Sequence, residues 1–439
     1  MDRPAPTADT GPAPRLTVPE LRFRDGGGLL YSTLARLIAS GGAVHRAQLV
    51  SASGLARSTV TRHLDALIAS GVVTEGGAVL RAGRGRPPLR LSLNPRAGLV
   101  AVADIGAHSA RVRLADLSQR PLARTEFAMD IAEGPSPVLE RVAEEVRGLL
   151  ARAGSGPGAL CAATVGLPGP VDHAAGAPVR PPIMPGWDGH PVGAELEERL
   201  GCPVLVDNDV NLMALGEART LPADQLPLLY VKVGTGIGGG LVSADGALHR
   251  GADGAAGDIG HLPAPGTEGA VCHCGNTGCV EAAASGAAMR ARLAAVRGGA
   301  GSGGGAPDLA ALARQGDPAA LRVLRDAAAP IGEVVALLVH VYNPARIVIG
   351  GALASAGDEL VAGIRSVVYR RALPLATRHL TLGPGRLAAD AGCLGGGVLA
   401  VEHALSPDGI TALMRRAGDR GAADRVAAGA GDGPPPSAP

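Results

Sequence analysis

Aromatic residues are scarce: two Phe, one Trp and four Tyr in 439 residues. Any core must therefore be built from Leu, Val, Ile and Ala, and the 46% hydrophobic content allows that while excluding global disorder. Lysine is nearly missing, with Lys232 alone against 40 arginines. Together with 66 Gly and 35 Pro, that bias reads as the codon usage of a GC-rich genome. No run of 18 apolar residues occurs, which argues against a membrane span. The opening MDRPAPTADTGPAPR has Pro and Asp where a signal peptide needs an apolar stretch. Six cysteines in a chain of this length do not make a disulfide scaffold. These absences predict a cytoplasmic protein without a membrane partner, whose cysteines are to be read first as metal ligands or catalysts.

The net charge of +1 hides an asymmetry. Residues 1–98 carry 13 Arg against six carboxylates, a balance of +7, which leaves −6 on the remaining 341 residues. A basic front on an acidic body suggests a local polyanion site. Within the front, Leu30, Leu34, Leu37 and Ile38 form a helical stripe. A second helix fits Arg46–Ser53 and stops at Gly54. A third runs from about Arg57 to Ser70, burying Val60, Leu64, Leu67 and Ile68 and exposing Arg57, Ser58, Thr59, Thr61, Arg62 and His63. Two short helices joined by a tight turn, the second with a basic, hydroxyl-rich face, form the helix-turn-helix pattern of a major-groove reader. Short strands at Val72–Thr74 and Val79–Leu80 around a Gly76–Gly77 turn predict a wing. The extended GRGRPP stretch then brings Arg84 and Arg86 to a minor groove. The competing reading is a three-helix dimerisation module in an arginine-rich protein.

The sharpest motif is GDIGHLPAPGTEGAVCHCGNTGCVE (257–281). His261, Cys272, Cys274 and Cys279 supply one imidazole and three thiolates, a closed tetrahedral set for one structural Zn²⁺ per chain. The spacing is not that of a zinc finger. His273 lies inside the cluster as a possible competitor, whereas Cys161, Cys202 and Cys393 sit beside apolar runs and read as core thiols.

LLYVKVGTGIGGG (228–240) contains Gly234, Gly236 and Gly239 at dinucleotide-fingerprint spacing, but the following LVSADGALHRG reads as strand, turn, strand. Without a helix there, a dinucleotide oxidoreductase is disfavoured, while the glycine turn can still cradle phosphate. VAVADIGAHSARVRLADL (101–118) places Asp104 and Gly106 at a similar hairpin, so the body reads as two related α/β lobes. Between them, LVDNDVNLMALGE (205–217) ends a strand at Asn208 and Asp209 and begins a helix. Asp209 there is either a helix cap or a carboxylate able to take a proton from a sugar hydroxyl.

These motifs, with TVGLPGPVD (164–172), MPGWDG (184–189) and NPARIVIGG (343–351), resemble the ROK family of sugar-responsive repressors and sugar kinases over residues 28–405. The resemblance implies an α/β fold: a two-lobed, actin-like ATPase body behind an N-terminal winged helix-turn-helix. The expected division is 25–95 DNA-binding domain, 96–220 first lobe, 221–385 second lobe with the zinc motif and 386–405 a helix returning to the first lobe, flanked by segments that composition marks as a Pro-rich flexible arm (1–24) and a mostly disordered tail beyond a short helix (406–439). The resemblance implies a sugar pocket from Asn208, Asp209, Asp258, His261 and Glu281. It also implies turns at Asp104, Gly106, Gly234, Thr235, Gly236, Gly350 and Gly351 that bind nucleotide in a kinase and are vestigial in a repressor. Ala107 and His108 depart from the kinase members' D-x-G-G-T, and Asp258 stands where Glu is usual. The expected function is a sugar-responsive transcriptional regulator, a repressor, binding an inverted-repeat operator as a homodimer or homotetramer with a sugar or sugar phosphate as effector. The alternative is a sugar kinase with an attached DNA-binding domain, using ATP and Mg²⁺ with Asp209 as its base.

Overall fold

The computed structural model describes residues 14–19, 26–78, 88–298, 308–354 and 358–416. Three helices open the fold: α1 (Gly27–Ala39), α2 (Arg46–Ser53) and α3 (Arg57–Ala69). Gly54, at φ +66°, ends α2 in the left-handed conformation that the short turn requires. Strands β1 (Val73–Ala78) and β2 (Leu89–Leu93) follow as an antiparallel pair. The expected turn at Gly76–Gly77 is corrected here. Both glycines lie inside β1, and the register slips between Gly76 and Ala78, so Gly77 (φ +69°) makes a bulge. The wing arginines Arg84 and Arg86 lie outside the described residues.

The first lobe is a five-stranded sheet ordered β5-β4-β3-β6-β9: β3 (Leu99–Ile105), β4 (Ser109–Asp116), β5 (Pro121–Ala128), β6 (Leu160–Leu167) and β9 (Val204–Asn208), with a short β7 (Val171–Asp172), β8 (Ala177–Pro178) ladder beside it. The β3–β4 hairpin is antiparallel and β3-β6-β9 are parallel. Helix α4 (Pro135–Arg152) buries Val138, Leu139, Val142, Val146, Leu149 and Leu150, a helical stripe, in the core beneath this sheet with α5 (Val192–Leu200).

The second lobe repeats the plan. A hairpin of β10 (Leu228–Val233) and β11 (Ile237–Val242) adds parallel β12 (Arg346–Gly350) and β13 (Thr381–Pro384). Strand follows glycine turn here, as the sequence predicts. Helices α7 (Val280–Ala284), α8 (Gly286–Val296), α9 (Leu309–Arg314), α10 (Pro318–Tyr342) and α11 (Asp358–Arg371) share one core with it, and α12 (Pro374–Thr377) follows on the outside. No described helix is long and apolar enough to cross a membrane.

Two helices form the layer between the sheets. α6 (Asp209–Thr220) lies on β10 and β11, and α13 (Ala391–Ala404) lies on β3 and β6. They touch backbone to backbone, because a Cβ on Gly395 would meet the Leu212 carbonyl at 1.8 Å. The front helices share a core with this layer: Leu34, Leu49, Leu64 and Leu67 join Val100, Val398, Val401 and Leu405. One expectation is corrected by that junction. Residues 14–19 are not a loose arm: Leu16 is buried and Arg15 donates its backbone N–H to the Arg219 carbonyl (3.1 Å). The short helix expected after 406 is present at 407–416, with Ile410 and Leu413 buried in the same core; residues 417–439 lie outside the described residues.

Candidate functional site

Helix α3 buries Val60, Leu64 and Leu67 and leaves Arg57, Ser58, Thr61 and Arg62 exposed, with Thr59 half-buried. His63 is corrected: it is buried, its Nδ1 lies 2.8 Å from the Thr59 carbonyl, and its ring packs edge-on to Tyr31. Half-exposed Arg46 bonds Glu75 (2.8 and 2.9 Å) and Asp65 (2.8 Å), which brace α2 against α3 and β1. A rigid helix therefore carries a small basic and hydroxyl face outward.

The four sequence-predicted metal ligands come together. His261, Cys272, Cys274 and Cys279 have their ligand atoms within 4.8 Å of one another. Cys272 Sγ lies 3.6 Å from His261 Nδ1, and Cys274 Sγ lies 3.7 Å from Cys279 Sγ. Gly275 (φ +91°) and Gly278 (φ +82°) turn the chain between the thiols. His273 is exposed and is not in the group. Cys202 and Cys393 are buried and Cys161 half-buried, away from the cluster. The donor set is compatible with a structural metal.

Cys279 is also the residue before α7, whose second residue is Glu281. Glu281 Oε2 accepts from the Ile237 backbone N–H (2.9 Å), and a Cβ on Gly236 would meet that oxygen at 2.5 Å. Glu281, two residues after Cys279, thus ties the His/Cys cluster to the glycine turn at Gly234–Gly236, whose Thr235 is exposed at the tip. Asp258 opens the short 3₁₀ turn Ile259–His261. The residue is exposed, yet desolvation of its carboxyl, against the lowering by His261, raises its pKa.

At the end of β9 the helix cap is settled. Asn208, not Asp209, caps α6: its Oδ1 accepts from the N–H groups of Val210 (2.9 Å) and Asn211 (3.3 Å), and its Nδ2 donates to the Gly169 carbonyl (2.9 Å). Asp209 is the first helical residue, 2% exposed, and its Oδ2 is bonded by the Lys232 ammonium from β10 across the lobes. The flanking Asp207 is likewise buried and takes Arg250 through Nε (2.9 Å) and Nη2 (2.7 Å). Sequence reasoning missed Lys232, Asp207 and Arg250. The one available signal was that Lys232 is the sole lysine of the chain.

Asp104, at the tip of β3, is buried beneath α13, where a Cβ on Gly392 would meet its Oδ2 at 2.5 Å. Burial first, and the Asp209 charge second, push its carboxyl up to about 6. The following turn closes on itself: Gly106 N–H donates to Ser109 (2.8 Å), while the Ala107 and His108 carbonyls accept from Ile131 (3.0 Å) and Met129 (3.1 Å). Gly350 and Gly351 are required by packing, since a Cβ on Gly350 would fall 1.8 Å from the Tyr230 hydroxyl.

The folded protein holds the Asp104 proton more tightly than the unfolded chain, whose Asp titrates near ~4. Stability therefore falls as pH rises from about 4 through about 6, and above that the full penalty is about 3 kcal/mol. Asp104→Asn should raise the melting temperature at neutral pH and leave it unchanged near pH ~4. Equal melting curves at neutral pH would remove the penalty.

The ROK family profile matches residues 100–403. The xylose repressor of Caldicellulosiruptor bescii is 26% identical over 379 residues, covering 83% of this chain and 93% of that protein. The glucokinase of Thermotoga maritima is 30% identical over 324 residues, covering 70% and 99%. The crystal structure of a ROK family transcriptional regulator, a homolog of the E. coli MLC protein, shares the fold with a TM-score of 0.73 at 24% identity, over 90% of this chain and 99% of that one.

Proposed function

The chain belongs to the ROK family, and from that premise we propose that it is a sugar-responsive, DNA-binding transcriptional repressor. The observation that carries this reading is α3. One face is locked into the core shared with the body, and the other offers Arg57, Ser58, Thr61 and Arg62 to a groove. Residues 25–95 are taken as the DNA-binding unit and 96–220 and 221–385 as the lobes of the sensor. The operator is an inverted repeat bound by a homodimer or a homotetramer, because one helix-turn-helix buries little surface. Arg84 and Arg86 serve the wing.

The metal is zinc. Tetrahedral ligation at ordinary Zn–S and Zn–N lengths puts two sulfurs about 3.8 Å apart and a sulfur and a nitrogen about 3.6 Å apart, close to the 3.7 and 3.6 Å found. All four ligands are protein atoms, so the ion is structural, and its chemistry is to hold the loop that carries Asp258 and Glu281. His261 meets the ion through Nδ1 and keeps Nε2 for the sugar side. The effector sits among Asp209, Asp258, His261 and Glu281, with Asn208 fixing the helix that presents Asp209. Binding there shifts the lobes only by its differential affinity for two arrangements.

A second reading, an ATP-dependent sugar kinase, is favoured by one observation: Asp209 is bonded by Lys232 of the second hairpin and its charge acts on Asp104 of the first. In it, Asp209 takes the hydroxyl proton and the glycine turns hold ATP with Mg²⁺.

Selection of binding sites from random DNA, followed by titration of the complex with sugars, tests the repressor reading. An inverted repeat should emerge, and a sugar should release it. Arg62→Ala should lower operator affinity by about 1–3 kcal/mol if it reads a base, and less, with a shallower salt dependence, if it contacts phosphate. No preference for any sequence over bulk DNA would overturn the reading.

A further inference from the structure

The only lysine in the chain is placed where it decides the chemistry of the cleft. Lys232 rises from β10 in the second lobe and bonds Oδ2 of Asp209 at the start of α6, with the Asp209 carboxylate 3% and the lysine side chain 19% exposed. No second protein group bonds Asp209 among the described residues, so Oδ1 is left for a ligand hydroxyl. Among the described residues the neighbouring cations are paired: Lys232 with Asp209, Arg250 with Asp207, and Arg111, whose charge reaches Asp104, with Glu126 (2.8 Å), while His173 lies 3.7 Å from the Asp207 carboxylate. Asp104, Asp258 and Glu281 have no cationic hydrogen-bond partner among the described residues. The balance is acidic, which disfavours a phosphorylated ligand. Burial lowers the affinity of Lys232 for its proton, but Asp209 outweighs it and the group is raised, so the ammonium stays charged.

We propose that Lys232 is a specificity-determining residue that holds Asp209 as a closed ion pair, so that the cleft takes an uncharged, hydroxyl-rich sugar and rejects its phosphate. This rests on the sugar-binding reading of the same cleft. The partners divide the work: Asp209 offers one oxygen as a fixed acceptor, and its other oxygen cancels the Lys232 ammonium, which would otherwise attract phosphate.

The test uses the full-length, metal-loaded protein. Dissociation constants are measured by calorimetry for D-xylose, D-glucose and N-acetyl-D-mannosamine and for their phosphates. The variants are Asp209→Asn, Lys232→Met and the double substitution, which removes both charges and leaves neither partner orphaned. The wild type should prefer a free sugar over its phosphate by about tenfold or more. Asp209→Asn frees the ammonium and should shift that ratio toward the phosphate by about tenfold or more. Lys232→Met should shift it the other way, and the double variant should restore the wild-type ratio at weaker overall affinity. A wild type that prefers the phosphate, or a ratio unmoved by Asp209→Asn, overturns the proposal while leaving a sugar sensor in place. If no sugar, free or phosphorylated, binds the wild type or releases operator, the sensor reading falls and this inference falls with it.

Discussion

Replacing Cys274 by serine should strip the metal from the protein and lower its melting temperature by on the order of 10 °C. The size of that effect is what makes it decisive. Cys274 is exposed, unlike Cys272 and Cys279. In a protein held by packing alone, an exposed cysteine-to-serine change would alter stability by no more than about 0.5 kcal/mol. As one of four ligands it carries part of a metal-binding free energy of about 10–16 kcal/mol. Metal analysis of the wild type should find about one zinc per chain. His273→Ala, one residue away but outside the cluster, should keep it. Without a cation, burial and the neighbouring thiols push Cys279 up to about 12, so metal binding must displace protons and weaken as pH falls. The damage should travel to the cleft, because Cys279 leads directly into α7 and Glu281 pins the Ile237 turn. The variant should therefore respond poorly to sugar even where it still binds DNA. Metal-free wild type that melts and responds like the loaded protein would end the structural role.

Much of this was legible in the sequence wherever the signal is local. The periodic apolar residues of α3, the stop at Gly54 and the H-C-C-C spacing depend on neighbours within one turn or loop, and they fell where expected. The hairpin at 228–242 was legible because a strand pattern and not a helical one follows the glycines, whereas the further strand expected after Asp245–Gly246 reduces to a single bridge between Val242 and Leu248. What was illegible depends on distant partners. Gly76–Gly77 has a turn's composition, yet pairing with β2 makes it a bulge. His63 lies on the polar side of α3 by pattern but finds Tyr31 on α1. Asn208 and Asp209 compete equally well for one cap, and only the hydrogen bonds decide. Lys232 belongs to no periodic pattern, and its partner lies 23 residues earlier in another lobe. The segment 14–19 looks featureless because its ties run to residues near 219 and 402.

Those ties define the second large effect: Glu402→Gln should destabilise the protein by about 3 kcal/mol and blunt the sugar response. Helix α6 starts at the ion pair of Asp209 and ends at Arg219, which is 5% exposed. Arg219 Nη1 meets Glu402 Oε1 on α13 at 2.9 Å and also donates to the Arg15 carbonyl (3.1 Å), while Nη2 donates to Thr17 Oγ1 (2.6 Å). From the other side Arg36, on α1 of the DNA-binding unit, donates to the carbonyls of Thr17 (2.7 Å) and Glu402 (2.5 Å). Burial lowers the Arg36 pKa and Glu402 opposes it, so one carboxylate balances two buried guanidinium groups. Neutralising it leaves like charges facing each other, whereas Arg219→Met combined with Glu402→Gln removes one of the two and should recover part of the loss. Helix α6 thus joins Asp209, in the proposed effector site, to α1, in the proposed DNA-binding unit. Coupling through it should amount to about 1–3 kcal/mol, a change of roughly 5–150-fold in operator affinity on sugar binding. In the double variant, operator binding without sugar should stay near the wild-type value and that change should shrink toward unity. A Glu402→Gln protein that melts like the wild type and releases operator at the same sugar concentration would show that the signal does not pass through this junction.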